Sequence, residues 1–134
     1  SACLVGAEMC IRDSSTLVVE IKNNKEKSNP DVVKAAVAFA DGARIGRALY
    51  FSRLVIPAGD GPIFHHIGIY AYRRAALERF INLPPGILEQ RERLEQLRAI
   101  ENGLCIYAAR VDTCPIGVDT LADLRSAREF LDRC

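Results

Sequence analysis

Three short clusters place polar residues at the edges of apolar segments, where a sheet-based enzyme presents the groups that carry out chemistry. The clusters are His66–Arg73 (HIGIYAYR), Leu94–Arg98 (LEQLR) and Pro115–Thr120 (PIGVDT). They contribute an imidazole, a carboxylate beside an amide, and a lone carboxylate. These groups suit hydrogen bonding to a polar ligand and binding of a hard cation. We expect none of them to act as a covalent nucleophile.

Asp119 is the strongest single candidate for a functional residue. It lies just beyond a predicted strand and at the start of a predicted helix, where α/β folds commonly place ligand groups. A hard cation such as magnesium takes one or two protein carboxylates and completes its shell with water and substrate phosphate. Spacing alone favours a simpler role, in which Asp119 caps its helix. The residues by themselves leave both interpretations open.

His66 and Arg53 also have a structural and a functional interpretation each. A single histidine at the mouth of an apolar strand is usually a hydrogen-bonded core residue. An arginine in a segment such as Tyr50–Arg53 usually forms a surface salt bridge. Alternatively, its guanidinium can anchor a ligand carboxylate through a bidentate pair. The neighbouring His65 makes the local charge dependent on pH.

Glu95 and Gln96 are consecutive in the most regular apolar repeat of the chain. On a helix they point about 100° apart, so only one of them can reach a cleft while the other faces elsewhere. A solvated glutamate is the default interpretation of Glu95.

The strands that must position these residues follow from short β-rich runs. Val32–Phe39, closed by Asp41-Gly42, and Ala48–Arg53 predict a hairpin. His66–Tyr72 is almost entirely apolar or aromatic, which predicts a strand buried on both faces. Further runs predict a doubtful short strand at 17–19, a loop at 22–29 and a strand at 105–111.

Three helices are predicted by apolar spacing and by end signals. Arg73–Leu83 is ended by Pro84-Pro85. Ile87–Asn102 is predicted as one continuous helix with Gly103 beyond its end, and Glu89 and Arg93 stand four apart on its solvated face. A last helix runs from Leu121 to about 133, and Thr120 with Asp123 resembles a helix-start signature. Strands alternating with helices indicate an α/β layered sheet.

Composition bounds the classes of protein to which the chain can belong. Its 134 residues are 49% apolar, and 18 basic against 17 acidic residues give a net charge of +1. No overall field therefore attracts it to nucleic acid or to an anionic membrane. Its apolar runs are far shorter than the roughly 20 residues that span a bilayer. Five cysteines without Cys-x-x-Cys spacing favour reduced thiols. We expect a soluble cytoplasmic protein.

Four motifs together resemble the 3-deoxy-manno-octulosonate (Kdo) cytidylyltransferases, which activate the sugar acid Kdo with CTP for bacterial lipopolysaccharide synthesis. They are Tyr-Phe-Ser-Arg at 50–53, His-Ile-Gly-Ile-Tyr at 66–70, Leu-Glu-Gln-Leu-Arg at 94–98 and Gly-Val-Asp-Thr at 117–120. The resemblance covers about 29–134 and corresponds to the C-terminal half of that family. It implies part of a three-layer, Rossmann-like mixed sheet with flanking helices, of the nucleotide-diphospho-sugar transferase type, lacking its N-terminal half.

The resemblance also implies roles for the site residues. Asp119 matches an aspartate that holds Mg²⁺ together with an aspartate of the N-terminal half, which is absent here. His66, Glu95, Gln96 and Arg53 match residues that contact Kdo, with Arg53 at the sugar carboxylate. The glycine-containing loop that grips CTP has no counterpart in this chain. The substrates implied are CTP and Kdo, and the intact protein is implied to be a homodimer through the hairpin at 32–51.

The beginning of the chain predicts a fragment. Residues 1–14 resemble translated sequencing-adaptor sequence rather than protein, and 15–28 are uncertain. Residues 29–134 are then the sugar-binding and dimerisation portion of a cytidylyltransferase domain. We expect the 134-residue chain to be inactive and to expose Val32–Phe39 as an unpaired edge strand that favours self-association.

Two alternatives stay open. The chain can be a non-catalytic half that binds sugar and dimerises, or its parent can use a related sugar acid such as 8-amino-Kdo or a sialic acid.

Overall fold

A computed structural model describes residues 12–113 and 120–132 as a mixed sheet surrounded by short helices. The five strands of this part of the chain are β1 (Ser14–Glu20), β2 (Lys34–Ala38), β3 (Ile45–Ser52), β4 (Phe64–Tyr72) and β5 (Ile106–Val111). Its five helices are α1 (Asn24–Ser28), α2 (Arg74–Ile81), α3 (Ile87–Glu92), α4 (Gln96–Glu101) and α5 (Leu121–Leu131).

The described strands pair in a closed circuit, in the order β1-β4-β2-β3-β5 and back to β1. The β1–β5 pair is parallel and the others are antiparallel. The α/β architecture and the β2–β3 hairpin are therefore confirmed. The expected unpaired edge is wrong, because β2 pairs with β3 along its length and with β4 at Lys34 and Ala35.

The segment at 15–28 has a definite place in this fold. β1 lies between β4 and β5, and its alternate residues Ser14, Thr16 and Val18 are buried. The predicted loop at 22–29 contains the short helix α1, which begins where the Asn23 side chain accepts a hydrogen bond from the Lys25 amide. A single capped turn leaves too weak a periodic signal to be predicted from so polar a run.

The core lies inside the strand circuit and beneath α4. Val18, Phe51, Ile106 and Leu97 are almost fully buried, each from a different element. Burying a side chain of this size contributes about 1.5–3 kcal/mol. The inward-facing residues of the strands therefore hold the site's scaffold together.

Strand β4 differs from the prediction in its second half. Its first residues are buried, but Gly68, Ile69 and Ala71 are exposed, so the strand is not buried on both faces. The register with β1 shifts between Thr16, which pairs with Tyr70, and Leu17, which pairs with Ile67. This irregularity is a β-bulge, which bends a strand and redirects its side chains.

The continuous helix predicted at 87–102 is wrong. The chain forms α3 and α4, which are separated at Arg93 by a left-handed backbone conformation with φ 57°. In one straight helix Glu89 and Arg98 would lie about 13 Å apart along the axis. Their side chains instead meet at 2.6 Å, which requires the break. The expected solvated face is also wrong, because Glu89 is buried.

Other predicted ends are confirmed. Helix α2 ends shortly before the two prolines, and Gly103 follows α4 with a positive φ of 77°. At α5 the Thr120 amide donates to the Asp123 carboxylate and the Asp123 amide donates to the Thr120 hydroxyl, which is the predicted capping box.

Two carboxylates, Glu89 and Glu101, join α3 to α4 through hydrogen bonds. Glu89 accepts two hydrogen bonds from Arg98, at 2.9 and 2.6 Å, and one from the Gly86 amide at 2.9 Å. Glu101 accepts from the Leu88 amide at 2.6 Å. Both carboxylates thus satisfy amides at the start of α3 that the helix itself leaves unpaired.

We expect Gly86→Ala to lower the free energy of unfolding by about 1–2 kcal/mol. A Cβ atom at Gly86 would lie 1.4 Å from the Glu101 carboxylate oxygen Oε2, so Glu101 must leave the α3 amide that it caps. Urea unfolding measures the change, and Gly68→Ala is the matched control because no atom lies within 4 Å of its new Cβ. In a Glu101→Ala background Gly86→Ala should cost little; an equal cost there would contradict this cause.

Candidate functional site

His66 is fixed at the bulge between β1 and β4. Its Nε2 lies 2.9 Å from the Thr16 hydroxyl, which itself lies 3.1 Å from the Ile67 carbonyl and 2.8 Å from the Ile69 carbonyl. The tautomer of His66 decides whether Nε2 donates to the hydroxyl oxygen or accepts the hydroxyl proton, which can otherwise go to one of the two carbonyls. Thr16 therefore holds the imidazole in its orientation.

The His66 ring is uncharged at neutral pH. It is buried, it packs edge-on against Phe51 at 4.7 Å between ring centres, and it lies 5.4 Å from the Tyr70 ring. Burial, with a smaller contribution from His65, lowers the pKa of His66 to about 4. A neutral imidazole can donate or accept one hydrogen bond, but it cannot attract an anion as a cation would.

Tyr70 carries a buried hydroxyl without a hydrogen-bond partner in the part of the chain that the structure describes. Burial raises the pKa of Tyr70, and the Tyr72 hydroxyl and the Glu95 carboxylate raise it further. Leaving a buried hydroxyl unpaired costs about 1–3 kcal/mol. The Tyr70 hydroxyl is therefore a neutral, buried group with unused hydrogen-bonding capacity.

An aromatic row continues from Tyr70 toward α2. Tyr70 stacks on Tyr72 at 5.7 Å, and Tyr72 stacks on Phe80 at 5.9 Å. Arg98, which pairs with Glu89, lies over the Phe80 ring at 5.3 Å. The row thus connects the bulge at His66 with the helices that carry Glu95 and Gln96.

Glu95 and Gln96 differ in exposure, as their spacing predicted. Glu95 is exposed, and its charge raises the pKa of both Tyr70 and Tyr72, which places it on the side of the aromatic row. Gln96 is buried, and no hydrogen bond joins its side-chain amide to the described residues. The carboxylate is therefore the group of this pair that lies toward the tyrosines.

Arg53 lies against the linker between α3 and α4. Its Nε donates to the Glu92 carbonyl at 3.2 Å, Nη2 to the Arg93 carbonyl at 3.4 Å and Nη1 to the Pro30 carbonyl at 3.2 Å. It forms no salt bridge with the described residues, although its type alone suggests a surface ion pair. Three of its five N–H donors are used, so Nη1 and Nη2 each keep one. Those two can still receive a carboxylate end-on.

Glu92 supports this linker, although the sequence did not single it out. Its carboxylate accepts hydrogen bonds from the Tyr50 hydroxyl at 3.0 Å and from the Ser52 hydroxyl at 3.0 and 3.1 Å. Burial and this bond to Glu92 raise the pKa of Tyr50. A cavity of about 640 Å³ opens here, lined by Pro30, Asp31, Arg53, Arg91, Glu92 and Arg93.

The structure therefore assembles part of the predicted set. The rings of His66 and Tyr70 are in contact, the Glu95 charge acts on Tyr70, and Arg53 binds the linker two residues before Glu95. A second cavity of about 860 Å³ between the β2–β3 hairpin and the loop at 57–62 contains none of these residues. Tyr70 and Thr16 were missed; the tyrosine within the His-Ile-Gly-Ile-Tyr cluster was the available signal, whereas nothing in the sequence marks Thr16.

Asp119 lies outside the described residues, so its predicted role has no structural counterpart here. Within 12–113 and 120–132, no group of three or more histidine, cysteine, aspartate or glutamate side chains could hold a metal ion. In the same two ranges, no helix is long and apolar enough to cross a membrane.

The sequence and the fold match those of a nucleotidyl-transferring class of proteins. A family profile described as Cytidylyltransferase matches residues 7–109, so the chain belongs to the cytidylyltransferase family. It is 62% identical over 119 residues to a 3-deoxy-manno-octulosonate cytidylyltransferase of Paramagnetospirillum magneticum, covering 89% of this chain and 48% of that protein. A protein of the same description from Rhodospirillum rubrum is 60% identical over 117 residues, covering 87% and 46%.

A solved structure gives the same result for the fold. The chain superimposes on CMP:2-keto-3-deoxy-manno-octonic acid synthetase complexed with CTP with a TM-score of 0.82 and 34% identity. The match covers 98% of this chain and 54% of that one. The chain thus spans about half the length of the curated relatives that it matches.

We expect acid to destabilise the fold through His66. Its pKa is about 4 when folded and about 6.5 when unfolded, so the unfolded chain binds the proton more tightly and stability falls as pH drops through this window. Between pH 7 and 5 the contribution is about 2 kcal/mol. Urea unfolding at both pH values should show a smaller loss in His66→Gln than in the parent chain.

The control for this measurement is His65→Gln, because His65 is only half-buried. Its pKa is also lowered by burial, but the carboxylate of Glu26 opposes that shift. A His66→Gln variant that keeps the parent's full pH dependence would show that His66 titrates normally.

Proposed function

We propose that this chain is part of a Kdo cytidylyltransferase, which transfers CMP from CTP to Kdo and releases pyrophosphate, for lipopolysaccharide synthesis. Membership of the cytidylyltransferase family supports the reaction class. The descriptions of relatives about 60% identical support Kdo as the acceptor, and the CTP complex of the similar structure supports CTP as the donor.

The observation that carries the proposal is the unpaired Tyr70 hydroxyl between a neutral His66 and the Glu95 carboxylate. A sugar acid presents several hydroxyls, each of which needs both donors and acceptors. Tyr70 supplies a donor, Glu95 an acceptor and His66 either one, depending on its tautomer. A row of aromatic rings beside them excludes water, which strengthens these hydrogen bonds.

The negative charge of the sugar acid needs a different partner. Arg53 keeps one free N–H on each terminal nitrogen, in a cavity shared with Arg91 and Arg93. This geometry suits a carboxylate at one end of the sugar while the hydroxyls lie toward Tyr70. A carboxylate partner together with partners for hydroxyls suits a sugar acid better than a neutral sugar.

In the proposed reaction a sugar hydroxyl attacks the α-phosphorus of CTP in line, and pyrophosphate leaves. The residues of this chain bind and orient the sugar, so that the attacking oxygen is held in place. Neutral His66 and the proton-retaining Tyr70 do not remove its proton in this scheme. No side chain of the described part is proposed to form a covalent intermediate.

Mg²⁺ is proposed as the metal, with Asp119 as the one ligand from this chain. Several carboxylates of the described residues are already engaged, Glu89 by Arg98, Glu92 by two hydroxyls and Asp123 by the Thr120 amide. The described residues thus do not form a magnesium site by themselves. When bound, magnesium would offset phosphate charge.

The alternative is a sugar-binding and dimerising half without turnover of its own. The described polar site suits a sugar, whereas no glycine-rich phosphate loop is present in the chain. The hairpin strand β3 also exposes Ile45 and Leu49 on one face, which supports a homodimer in the intact protein. Pyrophosphate release by the 134-residue chain with CTP and Kdo would exclude this alternative.

The function is tested in a full-length protein that joins this chain, from Ser15 onward, to the N-terminal half of the Paramagnetospirillum magneticum relative. We expect CTP-dependent pyrophosphate release with Kdo, and a KM for Kdo about 10-fold higher in Tyr70→Phe, because one hydrogen bond to the sugar is lost. Stability should not fall, since the hydroxyl has no partner among the described residues.

The matched control is Tyr50→Phe, which loses a hydrogen bond to Glu92 and should lower stability by about 1 kcal/mol while changing the KM little. An unchanged KM in Tyr70→Phe would contradict a sugar site at Tyr70. Faster turnover with 8-amino-Kdo or a sialic acid than with Kdo would reassign the substrate.

Asp119 is tested in the same protein. Asp119→Asn keeps the size and the capping capacity but removes the charge that a magnesium ligand needs, so turnover should fall by about 100-fold with little loss of stability. Turnover against magnesium concentration measures this. Parent-like rates in Asp119→Asn at ordinary magnesium would contradict the metal-ligand role of Asp119.

A further inference from the structure

Lys34 is a fully buried lysine whose hydrogen-bond partners among the described residues are neutral carbonyls. Its Nζ donates to the Asn29 carbonyl at 2.6 Å and to the Arg53 carbonyl at 3.0 Å. Burial lowers the pKa of Lys34. Lysine is almost never fully buried unless it is paired, because removing its ammonium from water is costly. The desolvation cost of this ammonium group indicates that Lys34 has a role other than packing.

The position of Lys34 in the sheet suggests that purpose. It pairs with Ser52 of β3 on one side and with His65 of β4 on the other. Ser52 directly precedes Arg53 and holds the Glu92 carboxylate. Lys34 therefore lies beside the end of β3, directly before Arg53.

Lys34 and Arg53 hold the same two stretches of backbone. Lys34 binds the carbonyls of Asn29 and Arg53, while the Arg53 guanidinium binds the carbonyl of Pro30, the residue after Asn29. The loop before β2 and the end of β3 are thus tied to each other twice. The main chain of Arg53 is fixed by Lys34, and its side chain leaves from that fixed point toward the α3–α4 linker.

We propose that Lys34 is a positioning residue that sets the direction of the Arg53 guanidinium, and so the affinity for the sugar-acid carboxylate. This inference rests on the proposed function of Arg53. An ammonium on a long stem can bridge two carbonyls that diverge, whereas a methionine of similar length would leave both unpaired. Without Lys34, the end of β3 is no longer held in place. Arg53 then no longer directs its two remaining N–H donors.

The experiment compares Lys34→Met with Lys25→Met in the full-length chimera, Lys25 being exposed on α1. We expect Lys34→Met to raise the KM for Kdo by at least 10-fold and to change the KM for CTP less than two-fold. Lys25→Met should change neither. A general loss of structure would instead alter both KM values and turnover together.

A double variant separates positioning from simple destabilisation. If Lys34 acts through Arg53, Lys34→Met added to Arg53→Ala should raise the KM for Kdo no further. Lys34→Gln, which keeps an N–H₂ donor for one carbonyl, should give an intermediate KM and serves as the main variant if Lys34→Met does not fold.

Two results would overturn the proposal: an unchanged KM for Kdo in both Lys34 variants, or effects of Lys34→Met and Arg53→Ala that multiply in the double variant. An Arg53→Ala variant with an unchanged KM for Kdo would contradict the carboxylate role of Arg53 itself. That outcome is a failure of the proposed function and is distinct from a failure of Lys34 to position Arg53.

Discussion

The buried ion pair between Glu89 and Arg98 is the interaction on which the site depends. It joins residues nine apart in sequence, so it can form only if the helical segment breaks and folds back at Arg93. The bond from Arg98 is the main reason why the pKa of Glu89 is lowered. The pair therefore stabilises the fold above the usual carboxyl pKa, and this stabilisation is lost as pH falls through the folded value.

The break has direct consequences for the surface of the protein. α3 ends at Glu92, and the carbonyls of residues 92 and 93 accept from Arg53 instead of continuing the helix. Glu95 then begins a second helix on the side of Tyr70 and Tyr72. Removing one partner would leave the other, partly buried charge unpaired, which destabilises the fold. The same contact thus stabilises the fold and sets the geometry around the sugar-binding candidates.

A second constraint is the way in which the chain satisfies backbone carbonyls. Lys34 and Arg53 together bind five of them, and Thr16 lies within hydrogen-bond distance of two more at the bulge. Polar side chains therefore bind backbone carbonyls near the points where β2, β3 and β4 depart from regular strand pairing. These irregular points are also where His66, Tyr70 and Arg53 are found. Such sites concentrate ligand groups because regular structure cannot redirect a side chain.

The sequence by itself determined the elements with strong local signals and the family. Apolar alternation and Asp41-Gly42 predicted the β2–β3 hairpin, the prolines after Leu83 ended α2, and the motif around His66 indicated the cytidylyltransferases. The tertiary structure alone decided the break at Arg93, the burial of Glu89, the pairing of β1 with two strands, and the use of Lys34 and Thr16. Periodicity shows only which face of a segment is apolar. One unbroken helix would bury the same apolar face in the core as α3 and α4 do, so the pattern does not predict the break. Which distant charge a side chain will meet depends on contacts between residues far apart in sequence, and no local pattern records them.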